Sequence, residues 1–138
     1  MKINSEGRIE FEEKDIWDIG YTLQDIILDG LVSFREGGIQ SIPLIAFIES
    51  GADLQIDNEE NDDKAMEWWT STIDFIIYHF NDDNEPTYEG ELPLDLTGFD
   101  QLDDDPAWIE YRDETDKWDR NKQEAANLFG KIMFSLWD

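Results

Sequence analysis

The fold of this chain is decided by residues 62–80, DDKAMEWWTSTIDFIIYHF. Apolar side chains recur in this stretch at steps of three or four residues: Ala65, Met66, Trp69, Ile73, Ile76, Ile77 and Phe80. Because a helix has 3.6 residues per turn, this spacing brings them onto one face. The stretch therefore predicts one long amphipathic helix and indicates a helical fold.

Similar spacing predicts two helices before this stretch. The first begins at Asp15, whose carboxylate can cap the first turn, and ends at Gly37. Gly20 and Gly30 lie inside it, and they indicate either close packing or a division into two shorter helices. Residues 41–48 favour a short buried helix, with a buried strand as the alternative.

A last helix is predicted to begin at Pro106. Asp105 and Pro106 form an N-cap and first-turn pair, and apolar residues follow at helical steps as far as Trp137. An unbroken helix over that distance would be about 48 Å long at 1.5 Å per residue. We therefore expect a break near residues 113–116.

At the amino terminus, Ile9 and Phe11 alternate with charged residues, and this period of two predicts a short strand. An extended arm packed on the helices is the alternative. Together the patterns predict a mainly α fold, with three or four helices and one short N-terminal strand or hairpin. We expect a single acidic helical domain over residues 1–138, with a long acidic loop over residues 81–105.

Two segments between the helices are rich in acids. Residues 51–63 predict an exposed acidic loop. Residues 81–105 hold ten Asp and Glu and no Lys or Arg, with Leu and Phe interspersed, so we interpret them as a loop pinned to the core. Connections of this length without regular structure are uncommon in compact domains and are often functional.

The net charge of the chain is extreme. Thirty-five Asp and Glu against ten Lys and Arg give a formal net charge of -25, which equals the charge on about 42 Å of duplex DNA. A compact domain of this length is only about 37 Å across, and solubility needs a net charge of just about 2 to 8. The excess predicts a basic protein partner, and it argues against direct binding to nucleic acid or to an anionic membrane.

The charge is also uneven along the chain. Residues 65–111 contain thirteen acids and no Lys or Arg, whereas residues 112–131 contain five bases. We expect those bases to pair with acids of their own helix: Glu114, Asp116, Asp119 and Glu124. Acids of the other segments would then face outward as a binding surface.

The sequence carries no catalytic or cofactor motif. It has no Cys, and neither acidic segment has the Gly and Glu spacing of an EF-hand. His79 is the single histidine, and its place at the end of an apolar stripe predicts a structural role. We expect no enzyme activity, no cofactor and no metal.

Targeting segments are also missing from the sequence. The amino terminus lacks the apolar run of a signal peptide, and no run of eighteen apolar residues could span a membrane. Hydrophobic residues make up 40% of the chain and aromatic residues 13%, which is enough for a core. We expect a soluble, cytoplasmic protein.

Three aromatic helix signatures resemble those of a group of small acidic, Trp-rich proteins of tailed bacteriophages, which have no assigned function. They are Trp17-Asp18 with Tyr21-Thr22-Leu23, then Trp69 with Ile73, Ile76 and Phe80, and finally Asn127-Leu128-Phe129-Gly130-Lys131 followed by Leu136-Trp137-Asp138. The resemblance spans most of the chain and implies a phage or prophage origin and a helical fold. It implies no catalytic residue, and residues 81–105 lie outside it.

The leading hypothesis for function is a phage-encoded inhibitor that acts as a DNA mimic. It would occupy the basic groove of a host nucleic-acid-binding protein, in an anti-restriction or anti-CRISPR role. The predicted partner-binding residues are acids of the two loops and one aromatic anchor: Asp57, Glu59, Glu60, Asp62, Asp63, Asp82, Asp83, Glu85, Tyr88, Glu89, Glu91, Asp103 and Asp104. An immunity protein or antitoxin against a basic nuclease toxin is one alternative. A phage structural or assembly protein, which could form a homodimer, is the other.

Overall fold

The computed structural model of this chain describes residues 1–39, 41–53, 55, 58–92 and 102–136. Trp17 is described by its backbone alone. These residues form five α-helices and one small antiparallel sheet, which confirms the expected mainly α fold class, although three or four helices were predicted. The chain falls into two compact units, residues 1–39 and 40–138. That residues 1–138 form a single domain stays a prediction.

The first unit begins with a β-hairpin. Strand β1, Lys2–Ile3, pairs antiparallel with β2, Ile9–Glu10, and the two isoleucines lie opposite each other. In the turn between them, the Asn4 side-chain oxygen accepts a hydrogen bond from the Arg8 amide at 2.9 Å. The hairpin confirms the predicted strand and supplies its partner, and the interpretation as an extended arm is wrong.

Two helices complete the first unit: α1, Glu13–Trp17, and α2, Ile19–Glu36. Asp15 lies inside α1 and not at its N-cap, so the predicted capping position is wrong. Its Oδ2 atom accepts bonds from the Glu12 amide at 2.8 Å and from the Met1 ammonium at 2.7 Å. The bond from the ammonium, followed by that from the Glu12 amide, lowers the pKa of the Asp15 carboxyl.

Neither interior glycine divides α2. Gly20 and Gly30 lie in continuous helix, and a Cβ atom at either position would meet no described atom outside the local helix within 4 Å. No close packing at either glycine is seen among the described residues, and the predicted helix is divided into two shorter helices but not at a glycine. The division falls at Asp18, between α1 and α2, and it accounts for the additional helix. The predicted end at Gly37 is confirmed, because its amide donates to the Ser33 carbonyl at 2.9 Å.

The second unit starts with helix α3, Leu44–Ser50. This confirms the short helix, and the alternative of a strand is wrong. Gly51 ends it in the left-handed conformation, with a φ of 73°, which glycine adopts without steric cost. Ala46 is buried, whereas Leu44 and Ile48 are exposed. Only one face of α3 therefore contributes to the core.

The central helix, α4, runs over Glu59–Phe80. Asn58 caps it, because its side-chain oxygen accepts a bond from the Asn61 amide at 2.9 Å. The helix therefore begins three residues before the predicted start. Residues 59–63, which were predicted to lie in a loop, form its first turns. Acids are stabilised there by the partial positive charge of the helix amino terminus.

The last helix, α5, runs without interruption over Pro106–Ile132 and continues into a 3-10 turn, Met133–Ser135. Asp105 caps it as predicted, with its Oδ1 atom accepting a bond from the Ala107 amide at 3.0 Å. The expected break near residues 113–116 is wrong, and the helix is about 40 Å long. Packing supports this length, because buried residues recur along the helix: Trp118, Ala125 and Ile132.

The core of the second unit lies between α4 and the two helices that pack on it, α3 and α5. The apolar stripe predicted for α4 is its buried face, and it includes Trp69, Ile73 and Ile76. Near the end of α4, the buried His79 ring lies 5.1 Å from the ring of Trp118, measured between centroids. The Nδ1 atom of His79 is 2.9 Å from the carbonyl oxygen of Phe75, four residues earlier. These contacts agree with the structural role predicted for this histidine.

Candidate functional site

A row of carboxylates follows the exposed side of α4, opposite its buried face. We name this row the acidic face of α4, and it consists of Glu59, Glu60, Asp63, Glu67 and Asp74, all of them exposed. At 100° per residue these positions fall within about one third of the helix circumference. Side chains four residues apart are about 6 Å from each other, and the whole row spans about 22 Å of helix axis.

Repulsion between the carboxylates of this face opposes folding. Asp63 has three acidic neighbours at helical spacing, Glu59, Glu60 and Glu67, and each like-charge pair costs about 0.2–0.5 kcal/mol. Lys64 is the one Lys or Arg of α4, and its Nζ atom lies 3.4 Å from the Gly51 carbonyl oxygen. Packing of the buried face of α4 therefore keeps this helix folded, in spite of the repulsion between the exposed carboxylates.

The bases of α5 pair with carboxylates of other segments: Arg112 with Asp103 at 3.4 Å, Lys122 with Asp82 at 2.8 Å, and Lys131 with Glu49 at 2.8 Å. Lys117 and Arg120 make no ion pair with a described residue. The predicted pairing of these bases with acids of their own helix is therefore wrong over the described residues. An exposed pair on one helix gains little, so contacts made by tertiary structure can replace it.

The first predicted group of acids lies at the amino end of α4. Glu59, Glu60 and Asp63 belong to the acidic face, whereas Asp62 is exposed on another side of the same turns. Asp57 lies outside the described residues. The structure thus brings most of this group together on a helix, where fixed spacing replaces the loop that was predicted.

The second predicted group begins at the other end of α4, about 32 Å from Glu59 along the helix axis. Asp82 and Asp83 lie in a 3-10 turn, Asp82–Asn84, directly after the helix. Three exposed acids follow in the segment without regular structure: Glu85, Glu89 and Glu91. Asp103 and Asp104 are also exposed, close before α5. Because Lys122 and Arg112 hold Asp82 and Asp103, these two acids are already partly neutralised.

A pocket of about 490 Å³ forms where this segment passes α5. We name it the Tyr88 pocket. It is lined by residues 87–90 and by one face of α5: Ala107, Glu110, Tyr111 and Glu114. The Tyr88 hydroxyl donates a hydrogen bond to Asp105 Oδ2 at 3.1 Å. Its ring centroid lies 5.0 Å from that of Trp108 and 5.7 Å from that of Tyr111.

Tyr88 is held tightly in the wall of this pocket. A Cβ atom at Gly90 would collide with the Tyr88 ring and hydroxyl, so any other residue there would require the Tyr88 side chain to shift. Burial of the Tyr88 hydroxyl, followed by its hydrogen bond to Asp105, raises the pKa of this tyrosine. Tyr88 was predicted to be an exposed anchor, but it is half-buried and forms one side of a cavity.

Four acids of these two surfaces were not among the predicted partner-binding residues: Glu67, Asp74, Glu110 and Glu114. Glu67 and Asp74 lie four and eleven residues after Asp63, and this helical spacing was a usable signal. Glu110 and Glu114 are also four residues apart. Their significance depends on Tyr88, which is more than twenty residues away in sequence, so no local pattern could reveal it.

Within the described ranges, no three His, Asp or Glu side chains gather closely enough to hold a metal ion. Among the helices of the described residues, none combines the length and the apolar composition needed to cross a membrane. Comparison with protein-family models, with curated proteins and with solved structures finds no match to this chain.

Proposed function

We propose that this protein is an inhibitor that acts as a DNA mimic and occupies the basic groove of a nucleic-acid-binding protein. The acidic face of α4 is the proposed contact surface. The proposal includes a bacteriophage origin and a role against a host restriction or CRISPR effector in the host cytoplasm. The protein has no enzyme activity in this proposal, and its partner is a basic protein.

The observation that carries this proposal is the row of carboxylates along one side of α4, whose average spacing is close to that of phosphates. Five exposed acids along about 22 Å amount to one charge per about 4–5 Å of axis, compared with one phosphate per about 3.4 Å along a single DNA strand. A groove that contacts phosphates needs charges at fixed positions, and a helix packed on a core provides such positions.

The net charge supports the same proposal. A formal charge of -25 on 138 residues creates a strong negative field, which accelerates encounter with a basic surface. Bases of α5 neutralise Asp82, Asp103 and Glu49, whereas Glu59, Glu60, Asp63 and Glu67 of the α4 face make no ion pair with any described Lys or Arg. The charge is therefore concentrated on α4 and the segment that follows it.

The test uses two variants with the same change in charge. The first carries Glu59→Gln, Asp63→Asn and Glu67→Gln on the acidic face, and the second carries Asp113→Asn, Asp116→Asn and Asp119→Asn on exposed positions of α5. Wild type and both variants are immobilised and exposed to nuclease-treated bacterial lysate. Captured proteins are eluted with increasing salt and identified by mass spectrometry, and each is tested for competition with its nucleic acid.

We expect wild type and the α5 variant to retain one basic nucleic-acid-binding protein up to high salt, and to displace its nucleic acid. The α4 variant should elute at clearly lower salt, because three of its phosphate-like charges are gone. Equal elution of the two variants would contradict the assignment to α4. Capture of this chain or of virion proteins alone would contradict the inhibitor proposal and would favour an assembly role.

A further inference from the structure

We infer that the Tyr88 pocket receives an arginine side chain of the basic partner. This inference rests on the proposed function, because it specifies one contact of the proposed complex. It concerns a different surface from the acidic face of α4, and it depends on the cavity, its aromatic wall and its charge.

The shape of the pocket suits an extended side chain with a flat end. Its volume of about 490 Å³ lies within the range of about 300–1,000 Å³ that is usual for ligand sites in proteins. The half-buried rings of Tyr88 and Tyr111 form an apolar wall, with the ring of Trp108 5.4 Å from that of Tyr111. Such a wall can contact both the methylene chain and the guanidinium plane of an arginine.

The wall is also preorganised. The hydroxyl of Tyr88 is fixed by Asp105, the N-cap residue of α5, and Gly90 lets the backbone approach the Tyr88 ring closely. The hydrogen bond connects the irregular segment to the start of α5, and the close approach at Gly90 lies within the segment itself. The ring therefore keeps its position without a ligand, which lowers the entropic cost of binding.

The charge of the pocket selects a cation. Glu89, Glu110 and Glu114 line it, and none of them makes an ion pair with a described residue. Glu110 and Glu114 are four residues apart on α5, so their charges repel each other. A bound cation would remove this repulsion and would find carboxylate acceptors on both sides of the pocket.

The arrangement of these carboxylates favours an organic cation of some size. Over the part of the chain that the structure describes, no three acids converge closely enough for a metal ion. A guanidinium has five N–H donors in one plane and can bind separated carboxylates while it stacks on an aromatic ring. An ammonium is a compact charge without a plane to stack, so we expect arginine to bind better than lysine.

The experiment needs no knowledge of the partner. The ¹⁵N-labelled full chain is titrated at constant ionic strength with N-acetyl-arginine amide, and its NMR spectrum is recorded. N-acetyl-lysine amide and the neutral N-acetyl-citrulline amide are titrated in parallel. We expect arginine to shift the amide signals of residues 87–90 and 107–114 in a saturable manner, lysine to bind several-fold more weakly, and citrulline to leave the signals unchanged.

Two double variants assign the binding to the pocket. Glu110→Gln with Glu114→Gln should weaken arginine binding at least tenfold. Asp25→Asn with Asp29→Asn, two exposed acids that are also four residues apart, on α2, should change it less than twofold. Equal binding of citrulline, equal binding of lysine, or equal loss in the two variants would overturn the inference. The proposed function can fail in the capture experiment while this titration succeeds, and the reverse also holds, so the two failures are distinguishable.

Discussion

The two long helices α4 and α5 carry the same number of acids but differ in net charge. Each contains six Asp and Glu, whereas α4 contains one Lys and α5 contains five Lys and Arg. On α5, three of the bases reach carboxylates of other segments at 2.8–3.4 Å. On α4, five of the six acids form an exposed row, and neighbouring members of that row repel each other.

The charged residues of the two helices therefore have different roles: bases of α5 stabilise the fold through ion pairs, and the acids of the α4 row do not. The bases of α5 connect that helix to α3, to the turn after α4 and to the segment before α5. Glu59, Glu60, Asp63 and Glu67 of α4 make no ion pair with a described residue, and the repulsion among them lowers stability. Because the acidic face of α4 lowers stability, it is a candidate binding surface. Three experiments test the difference between α4 and α5.

The largest change in the free energy of unfolding is expected at Trp118, a buried residue of α5 that packs against α4. Trp118→Ala should lower the free energy of unfolding by about 3–5 kcal/mol, because a large buried ring is replaced by a cavity. Urea unfolding followed by far-ultraviolet circular dichroism measures this. Phe134→Ala is the control, since Phe134 is 78% exposed and should change stability by no more than about 0.5 kcal/mol. Similar losses in both variants would contradict the described packing.

A smaller effect is expected at Lys122, whose ammonium lies 2.8 Å from Asp82. Lys122→Gln should lower the free energy of unfolding by about 0.5–1 kcal/mol, the upper part of the range for partly exposed pairs. Lys117→Gln removes the same charge from the same helix without breaking an ion pair to a described residue, so it should cost less. Chemical unfolding of Lys122→Gln, of Asp82→Asn and of the variant that carries both changes isolates the energy of the pair, and Lys117→Gln is measured beside them.

If the double variant is as unstable as the sum of the two single variants, the pair has no coupling energy, and the proposed role of the α5 bases in the fold is wrong.

The smallest expected change is a gain in stability, and it comes from a direct comparison of one acid on α4 with one acid on α5. Asp63→Asn on α4 should raise the free energy of unfolding by about 0.5 kcal/mol, because Asp63 has only acids among its charged neighbours at helical spacing. Asp116→Asn on α5 should leave it nearly unchanged, since two acids and two bases surround Asp116. The gain at Asp63 should disappear in about 1 M salt, where charges are screened beyond about 3 Å. A loss of stability at Asp63 would show that the acidic face supports the fold.

Several features of the fold could be read from the sequence because they are local. The apolar stripe of α4, the Asp105 and Pro106 start of α5 and the end at Gly37 all depend on residues within a few turns of each other. The start of α4 was placed three residues late, because acids that resemble a loop are also suited to the first turn of a helix. Asn58, the actual cap, was not identified.

The candidate sites were predictable only in part, because only some of their residues are close to one another in sequence. Glu59, Glu60 and Asp63 were chosen as loop acids, and the helix then placed them in one row with Glu67 and Asp74. The Tyr88 pocket could not be predicted, because it joins residues 87–90 to a face of α5. Its lining includes Glu110 and Glu114, which have no distinctive local pattern.

The sequence by itself determined the net charge, the helical class and which residues share a helix face, because these depend on composition and on a period of 3.6 residues. The tertiary structure decided which charges are neutralised. Asp82 and Asp103 lie against Lys122 and Arg112, while the row on α4 stays exposed. The physical reason is that an ion pair or a pocket depends on distances between segments remote in sequence, and these distances are fixed only when the helices pack.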